Sequence, residues 1–242
     1  MNPELYPDLE TAGGLAAALE TVASGLGLDL TLHARPGTYP DHAAIASMVP
    51  GRGPLAVNIA DDVRRFSVSG WGQGIALLSG ATPDLADIAR AGVAWSEGRC
   101  LRRMQAELPF LVPSERGEAH ERGPAAVVDL QWRSMREKAA GAPEFPAFGA
   151  LVEAAHDEPL LRQLYVFSSH WTLGFSSCTG YPFRVVVAIA PADRDNPYRV
   201  MTGLHGASVA EPDTAHQAVT SAVSHLPADL GPAVAGTAED NV

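Results

Sequence analysis

Lysine and cysteine are scarce in this chain of 242 residues, and both scarcities exclude mechanisms. Lys138 is the only lysine among the 17 cationic residues, so no other side chain could anchor a Schiff base or pyridoxal phosphate. It stands in a charged stretch that is typical of a solvated helix face. The two cysteines, Cys100 and Cys178, are too few and too far apart for a disulfide scaffold or a zinc site. We therefore expect reduced thiols and no tightly bound metal.

Positively charged residues and long apolar runs are also scarce in this sequence. The formal net charge is 17 − 28 = −11, so the chain on average repels a nucleic-acid duplex or an anionic membrane. Glu20 and Asp29 interrupt the apolar stretch 15–30, which argues against a signal peptide or a membrane span there. We expect a cytoplasmic protein without nucleic-acid or membrane partners, and the sequence leaves a homodimer open.

Length and composition are those of a globular protein. The hydrophobic fraction is 46% and the charged fraction 19%, and a chain of this length buries a sizeable core without a metal or a disulfide. We predict a single α+β domain over 1–227, with sub-halves 1–96 and 165–227 around a helical middle. Residues 228–242 have little to bury, so we predict a flexible tail there.

Short strand-like runs occupy both ends of the chain, and helical periodicity fills 97–164. Because strand follows strand without crossover helices, the pattern predicts antiparallel meanders that flank a helical middle, and not a doubly wound parallel sheet. Three strands followed by a helix that opens with Pro-Asp occur twice, near 55–95 and 170–226, so a βββα pseudo-repeat is an open alternative. The predicted helices at the two ends cover about 9–25, 83–95 and 212–225, and the predicted strands cover 28–33, 55–60, 66–69, 75–78, 171–175, 184–189 and 198–201.

Two motifs resemble ligand sites but lack the rest of the pattern. The run Gly70-Trp-Gly-Gln-Gly74 would need a following helix to bind phosphate, and the run 75–78 after it predicts a strand. We predict a hairpin turn there and no nucleotide. Glu153 and His156 have the Glu-x-x-His spacing of di-iron bundles, but no second copy is present, so we interpret them as a surface pair.

The most distinctive stretch is His170-Trp-Thr-Leu-Gly-Phe-Ser-Ser-Cys-Thr-Gly-Tyr-Pro-Phe183. In a straight strand, alternate side chains from His170 to Cys178 point to one face, and the apolar ones between them point to the core. We predict a small-molecule pocket on that face. His170, Tyr181 and Cys178 are its candidate catalytic residues, and Thr172 and Ser176 are candidate substrate-binding residues.

Cys178 follows the strand in a turn, where a thiol can act as a nucleophile if a histidine lowers its pKa. A straight strand separates His170 from Cys178 by about 25 Å, so the partner must come from elsewhere. The candidates are His120, His156 and His205.

A second polar cluster precedes a predicted helix in Ala119-His-Glu-Arg-Gly123. His120, Glu121 and Arg122 either cap that helix with paired charges or reach a substrate, and we include all three as candidate substrate-binding residues.

The block 170–183 resembles an uncharacterised actinobacterial family whose members are labelled natural product biosynthesis proteins. Shorter matching blocks extend the resemblance over about 52–236, and members tend to carry an aromatic residue where His156 stands here. The resemblance implies a role in secondary metabolism and supplies no catalytic residues. The shorter blocks are 109–111, 119–123, 151–155, 158–162, 198–200 and 225–227, with Gly231-Pro232.

Two classes of function fit these observations. The favoured one is a cofactor-free enzyme of the cyclase or isomerase type that works by acid–base groups on a small molecule. The alternative is a non-catalytic accessory protein that holds a biosynthetic intermediate or a partner enzyme. A pocket with convergent polar groups from 170–181 would favour the enzyme, and a flat exposed apolar patch would favour the accessory protein.

Overall fold

The computed structural model describes residues 2–33, 40–194 and 196–240, and the chain divides into two compact units, Met1–Glu121 and Arg122–Val242. Each unit holds helices and one antiparallel sheet of five strands, and the strands of each sheet are neighbours in chain order. The predicted α+β class with antiparallel meanders is therefore confirmed. The prediction of a single domain over 1–227 is not decided by this division and stays a prediction.

Unit 1 forms its core where apolar residues of the sheet face helices. In β2 and β3, Leu55, Val57, Phe66 and Val68 are buried at alternate positions, as the period-two pattern predicts. The strands of this unit are β1 (His42–Ile45), β2 (Leu55–Ile59), β3 (Phe66–Gly72), β4 (Ile75–Thr82) and β5 (Leu111–Pro113), and its helices are α1 (Pro7–Ala12), α2 (Leu15–Gly25), α3 (Leu85–Ser96), α4 (Leu101–Glu107) and α5 (Glu115–Arg122).

Trp95 of α3 fixes the helix against the sheet. Its indole is fully buried and lies over Gly70, where an added Cβ would stand 2.5 Å from the ring. Its Nε1 donates a hydrogen bond to the carbonyl of Gly53 at 3.0 Å. Glycine at position 70 therefore lets the Trp95 indole pack directly on the strand.

Several boundaries in unit 1 differ from the prediction. The helix expected over 9–25 is broken into α1 and α2, because Gly13 and Gly14 have φ of +86° and +127°. In the expected strand 28–33, Leu32 bridges to Ile45 and no strand is formed. The expected loop 34–53 contains β1, while residues 34–39 lie outside the described part of the chain. The N-cap of α3 is Asp84, so Pro83 precedes the helix rather than opening it.

In unit 2, α6 packs against β6, α9 packs against β8 and β9, and α7 packs against both of these helices. Trp132 of α6 is buried, its ring centroid is 6.2 Å from that of Phe175, and its Nε1 donates to the carbonyl of Arg162 at 2.9 Å. The helices are α6 (Pro124–Ala140), α7 (Pro146–Asp157), α8 (Pro159–Arg162) and α9 (Ala215–Ser224), and the strands are β6 (Tyr165–Ser169), β7 (Thr172–Ser176), β8 (Val185–Ala190), β9 (Arg199–Met201) and β10 (Ser208–Ala210).

The order predicted as a pseudo-repeat is present in unit 1, and in unit 2 an additional strand separates the three strands from the helix. In unit 1, β2, β3 and β4 precede α3, and in unit 2, β7, β8 and β9 precede β10 and α9. Helix α9 opens with a capping box of Thr214 and Gln217 rather than with Pro212. A duplication of one ancestral unit stays a prediction.

Residues 233–238, inside the expected tail, form backbone hydrogen bonds with the segment that follows β7. Thr179 donates to the carbonyl of Val234 at 3.0 Å, and Gly180 donates to that of Gly236 at 2.7 Å. Apolar patterning does not reveal such pairing, because backbone groups of any residue can make it. In the described residues, no helix has the length and apolar character needed to cross a membrane.

Candidate functional site

His170 and Trp171 form the two-residue turn that joins β6 to β7, and both have positive φ, +46° and +68°. The prediction that His170 lies on the strand beside Thr172 is therefore wrong. A turn with two positive φ values matches the twist of the hairpin, which a straight strand through these residues would not allow. The His170 ring is exposed, with Nδ1 3.3 Å from the Ser169 hydroxyl.

Trp171 anchors this turn through aromatic contacts. Its ring centroid is 4.3 Å from that of Phe145 and 5.2 Å from that of Phe148. Lys138, which we expected on a solvated helix face, has its Nζ 5.0 Å from the Trp171 ring and donates to the Ser168 hydroxyl at 2.7 Å. The rings and the ammonium group together hold two non-glycine residues in a backbone region that costs free energy.

Ser176 and Cys178 are both buried, and their side chains bond to nearby backbone groups. The Ser176 hydroxyl accepts the Cys178 N–H at 3.1 Å and donates to the Cys178 carbonyl at 2.8 Å. The Cys178 thiol in turn accepts the N–H of Arg184 at 3.3 Å. These groups close a tight turn after β7, and their hydrogen-bonding capacity is used inside it.

The other candidates from this block lie apart from the thiol. The Tyr181 side chain is 72% exposed and meets Phe183 edge-on at 5.6 Å, and Thr172 is half-buried at the start of β7. A cavity of about 380 Å³ that borders Cys178 is not lined by His170, Thr172 or Tyr181. Within the described residues, the structure does not bring the three predicted catalytic side chains together, and their roles stay predictions.

His120 and Glu121, in contrast, line one cavity of about 220 Å³ in unit 1. The structure places them within α5, where the sequence predicted a segment before a helix. Arg122 is the last residue of this helix and does not line the cavity. The remaining walls come from Val49, Pro50, Gly51, Arg52, Gly72, Gln73, Leu77, Leu101 and Gly117.

Gly117 brings α5 close enough to the sheet for His120 to reach the cavity. A Cβ at Gly117 would collide with the carbonyl oxygen of Leu77, so only glycine allows this approach. Ser114 begins the helix by accepting the Gly117 N–H at 2.8 Å and donates to the carbonyl of Ala76 at 2.6 Å. His120 lies three residues after Gly117 and hence on the same side of the helix.

An ion pair between Arg52 and Glu121 forms part of the wall. Arg52 Nη2 lies 2.8 Å from Glu121 Oε1, and the two side chains are 10% and 27% exposed. Glu121 also accepts the Leu101 N–H at the start of α4, at 2.9 and 3.1 Å. Arg52 donates further to the carbonyl of Arg99 at 3.2 Å and lies 4.9 Å from the Trp95 ring centroid. Both charges are thus compensated by fixed partners.

The His120 imidazole is half-buried beside this pair. Burial lowers its pKa below the ordinary value of 6.5, because the charged form loses hydration. The ring is therefore neutral at neutral pH, and no hydrogen bond from a described residue occupies it. A neutral imidazole with a free ring nitrogen can accept a proton from a bound molecule.

Gln73 also lines this cavity, and the sequence pattern did not point to it. It occupies the β3–β4 turn with Gly74, at φ of +51° and +80°, which confirms the predicted hairpin turn. Its Oε1 is buried and has no hydrogen-bond partner among the described residues. Such a buried and unpaired atom costs about 1–3 kcal/mol of free energy.

A larger cavity of about 440 Å³ in unit 2 contains Glu153 and His156. Arg136 binds both oxygens of Glu153 at 2.8 to 3.2 Å, and His156 meets the Trp132 ring edge-on at 5.4 Å. The Glu-x-x-His spacing therefore serves an ion pair and a ring contact. Over the described part of the chain, no three or more His, Cys, Asp or Glu side chains are grouped so as to hold a metal ion.

Comparisons with known proteins cover parts of the chain. Residues 126–237, all in unit 2, match a family of unknown function (DUF6193). The putative thymidine phosphorylase 1 of Acidovorax sp. (strain JS42) is 27% identical over 175 residues, which cover 66% of this chain and 34% of that protein. The chain thus spans about a third of the length of this relative. No solved structure matches the chain.

Proposed function

We propose that this protein is an enzyme of natural product biosynthesis that acts on a small molecule by acid–base catalysis, of the cyclase or isomerase type. The observation that carries the proposal is the neutral, half-buried His120 in the unit 1 cavity, where it can take up a proton from the substrate. The hydrogen-bonded Arg52–Glu121 pair keeps the neighbouring wall rigid, which supports productive positioning.

The assignment to secondary metabolism rests on other residues. It is supported by the resemblance of the block 170–183 to natural product biosynthesis proteins, and the match of 126–237 is to a family without an assigned function. Phosphorolysis of thymidine is not part of the proposal, because the chain spans about a third of the relative that carries this name.

The alternative is an accessory protein that holds an intermediate or a partner enzyme without catalysis. Exposed apolar side chains on the unit 1 sheet favour it, namely Trp71 on β3 and Val112 on β5, which are 51% and 57% exposed. Large exposed apolar groups mark interaction surfaces when they form a continuous patch. Catalysis by His120 distinguishes the two functions, because the accessory role does not require it.

The test is metabolite profiling of a deletion strain complemented with defined variants. We expect the deletion to accumulate an intermediate, wild-type protein to remove it, and His120→Gln to leave it in place, because turnover falls by about 10²–10⁴ without the base. His216→Gln is the matched control, since this exposed histidine on α9 lies outside the cavity, and it should complement fully.

Circular dichroism of the purified variants must show that both remain folded. If folded His120→Gln removes the intermediate as well as wild-type protein does, His120 is not catalytic and the accessory role replaces the enzyme. An unchanged metabolite profile in the deletion strain would contradict a biosynthetic role of either kind.

A further inference from the structure

The only lysine of the chain lies against a serine hydroxyl in unit 2. Lys138, near the end of α6, donates a hydrogen bond from its Nζ to Ser168 Oγ at 2.7 Å. The two residues are 30 positions apart in sequence, and they meet because α6 packs against β6, the strand that carries Ser168. A lysine amine beside a serine hydroxyl is a recurring arrangement in which a base activates a nucleophile.

Aromatic rings hold the amine in place. Lys138 Nζ lies 5.0 Å from the ring centroid of Trp171 and 5.9 Å from that of Phe148. Within the described residues its hydrogen bond goes to Ser168 alone, and no carboxylate pairs with it, although the chain holds 28 acidic side chains. The lysine therefore serves the serine hydroxyl and not a salt bridge.

Ser168 is held on a strand and not on a loop. It lies in β6 and pairs with Leu173 of β7, and the turn formed by His170 and Trp171 follows shortly after it. A reactive group on a regular element is positioned more precisely than one on a loop. Lys138 is exposed and Ser168 is half-buried, so the pair lies at the protein surface, where a small molecule can reach it.

The turn after β6 carries backbone donors that are still free. The N–H groups of His170 and Trp171 have no hydrogen-bond partner in the described part of the chain. Backbone N–H groups are the usual donors to the oxyanion that forms when a hydroxyl adds to a carbonyl group. A nucleophile, a base and candidate oxyanion donors thus lie within one hairpin and the helix beside it.

We propose that Ser168 is a nucleophile activated by Lys138, and that this pair takes up an acyl group from a small activated ester or thioester. In the reacting form the Lys138 amine is unprotonated. Ser168 Oγ forms a bond to the carbonyl carbon, its proton passes to Lys138 Nζ, and the C–O or C–S bond of the substrate breaks. The leaving alcohol or thiol takes the proton from Lys138, and the acyl group stays on Ser168 as an ester until water hydrolyses it.

This acyl-transfer activity goes beyond the function proposed above, because its residues belong to the other unit. Lys138 and Ser168 lie in unit 2 and in the segment 126–237 that matches a family of unknown function, and His120 lies in unit 1. The two proposals therefore have separate tests, and either can fail while the other holds.

The test is the reaction of the full chain with p-nitrophenyl acetate, followed by mass spectrometry of the intact protein and of its peptides. We expect a burst of nitrophenolate and one acetyl group per chain, on Ser168. Ser168→Ala should abolish both. Ser169→Ala is the matched control, since the next side chain of β6 points to the other face of the sheet, and it should react like wild-type protein.

The role of Lys138 needs a variant that keeps its contacts with Trp171 and Phe148. Lys138→Arg keeps the positive charge and the hydrogen-bond donors, but an arginine does not lose its proton and so cannot act as the base. We expect acetylation of Ser168 to slow by about 10²- to 10⁴-fold in this variant. Circular dichroism must show that each variant is folded.

Three results would overturn the proposal. The first is that folded wild-type protein shows no burst, and the second is that the acetyl group lies on Lys138 or on any residue other than Ser168. The third is that Lys138→Arg is acetylated at Ser168 as fast as wild-type protein, because the lysine would then only support the structure of the hairpin.

Discussion

Arg52 and Glu121 are 69 residues apart in sequence, and their side chains meet at 2.8 Å in unit 1. The pair connects the segment before β2 to the end of α5. Glu121 also accepts a hydrogen bond from the Leu101 N–H, which connects the start of α4 to the same group. His120 is the neighbour of Glu121 on the same helix. The partly buried ion pair therefore holds the end of the helix that carries the candidate base of the cavity.

We expect Glu121→Gln to lower the free energy of unfolding by about 2 kcal/mol, because it leaves the Arg52 charge in a site where its side chain is 10% exposed. Arg52→Met should cost a similar amount. The double variant should cost less than the sum, since no uncompensated charge remains. Urea unfolding of all four proteins gives the coupling, and strictly additive losses would show that the two groups do not interact.

Stability should depend on pH through His120. Because burial lowers its pKa in the folded state, the unfolded chain binds the proton more tightly, and folding is disfavoured as pH falls below about 6.5 toward the folded-state pKa. Wild-type protein should therefore lose stability relative to His120→Gln between pH 7.5 and pH 5.5. Chemical denaturation at both pH values measures this, and a difference that does not change with pH would contradict the burial of this ring.

Gly174→Ala should destabilise unit 2 by about 1–3 kcal/mol. A Cβ at this position in β7 would stand 2.5 Å from the Phe167 ring, which is stacked on Phe183 at 4.7 Å and has little room to move. Gly149→Ala is the matched control, since a Cβ there meets nothing within 4 Å and helix α7 should gain about 0.5–1 kcal/mol. Thermal unfolding that ranks the two variants equally would refute the steric argument.

His170→Asn should raise the free energy of unfolding by about 0.5 kcal/mol, because asparagine adopts a left-handed backbone more readily than histidine and the exposed ring gives up no packing. Trp171→Ala should instead lower it by about 2 kcal/mol through the loss of the contacts with Phe145 and Phe148. Urea unfolding measures both changes in the free energy of unfolding and distinguishes the expected increase from the expected decrease. Complementation by His170→Asn also shows whether His170 serves the chemistry, since a stable variant that fails to complement would assign it a functional role.

Six of the seven predicted strands are central strands of the two sheets, the seventh, over 28–33, is not formed, and the strands that were not predicted lie at the edges. β2, β3 and β4 were expected near their observed positions, as were β7, β8 and β9. The four strands missed are β1 and β5 in one sheet and β6 and β10 in the other, and each is the outermost strand of its sheet. An edge strand pairs on one side only and buries less, so its residues carry a weaker alternating pattern.

The residues of the candidate site differ in the same way. Some are indicated by their local sequence, and others come together only through contacts that are distant in sequence. His120 and Glu121 could be selected from sequence because three ionisable residues stand together after Ala119. Arg52 and Gln73 could not, since nothing in their local sequence marks a site. Gln73 even lies in a glycine-rich run that predicts a turn, and it forms one.

The sequence by itself determined the α+β class and the central strands, because apolar periodicity and turn residues act over a few positions. It also indicated His120 and Glu121, which line the cavity. Only the tertiary structure decided which polar groups meet. It separated His170, Cys178 and Tyr181 by a hairpin turn and a buried loop, and it joined Arg52, Gln73 and His120 around one cavity. The reason is that polar groups far apart in sequence meet only where two elements pack closely, as α5 packs on β4 at Gly117.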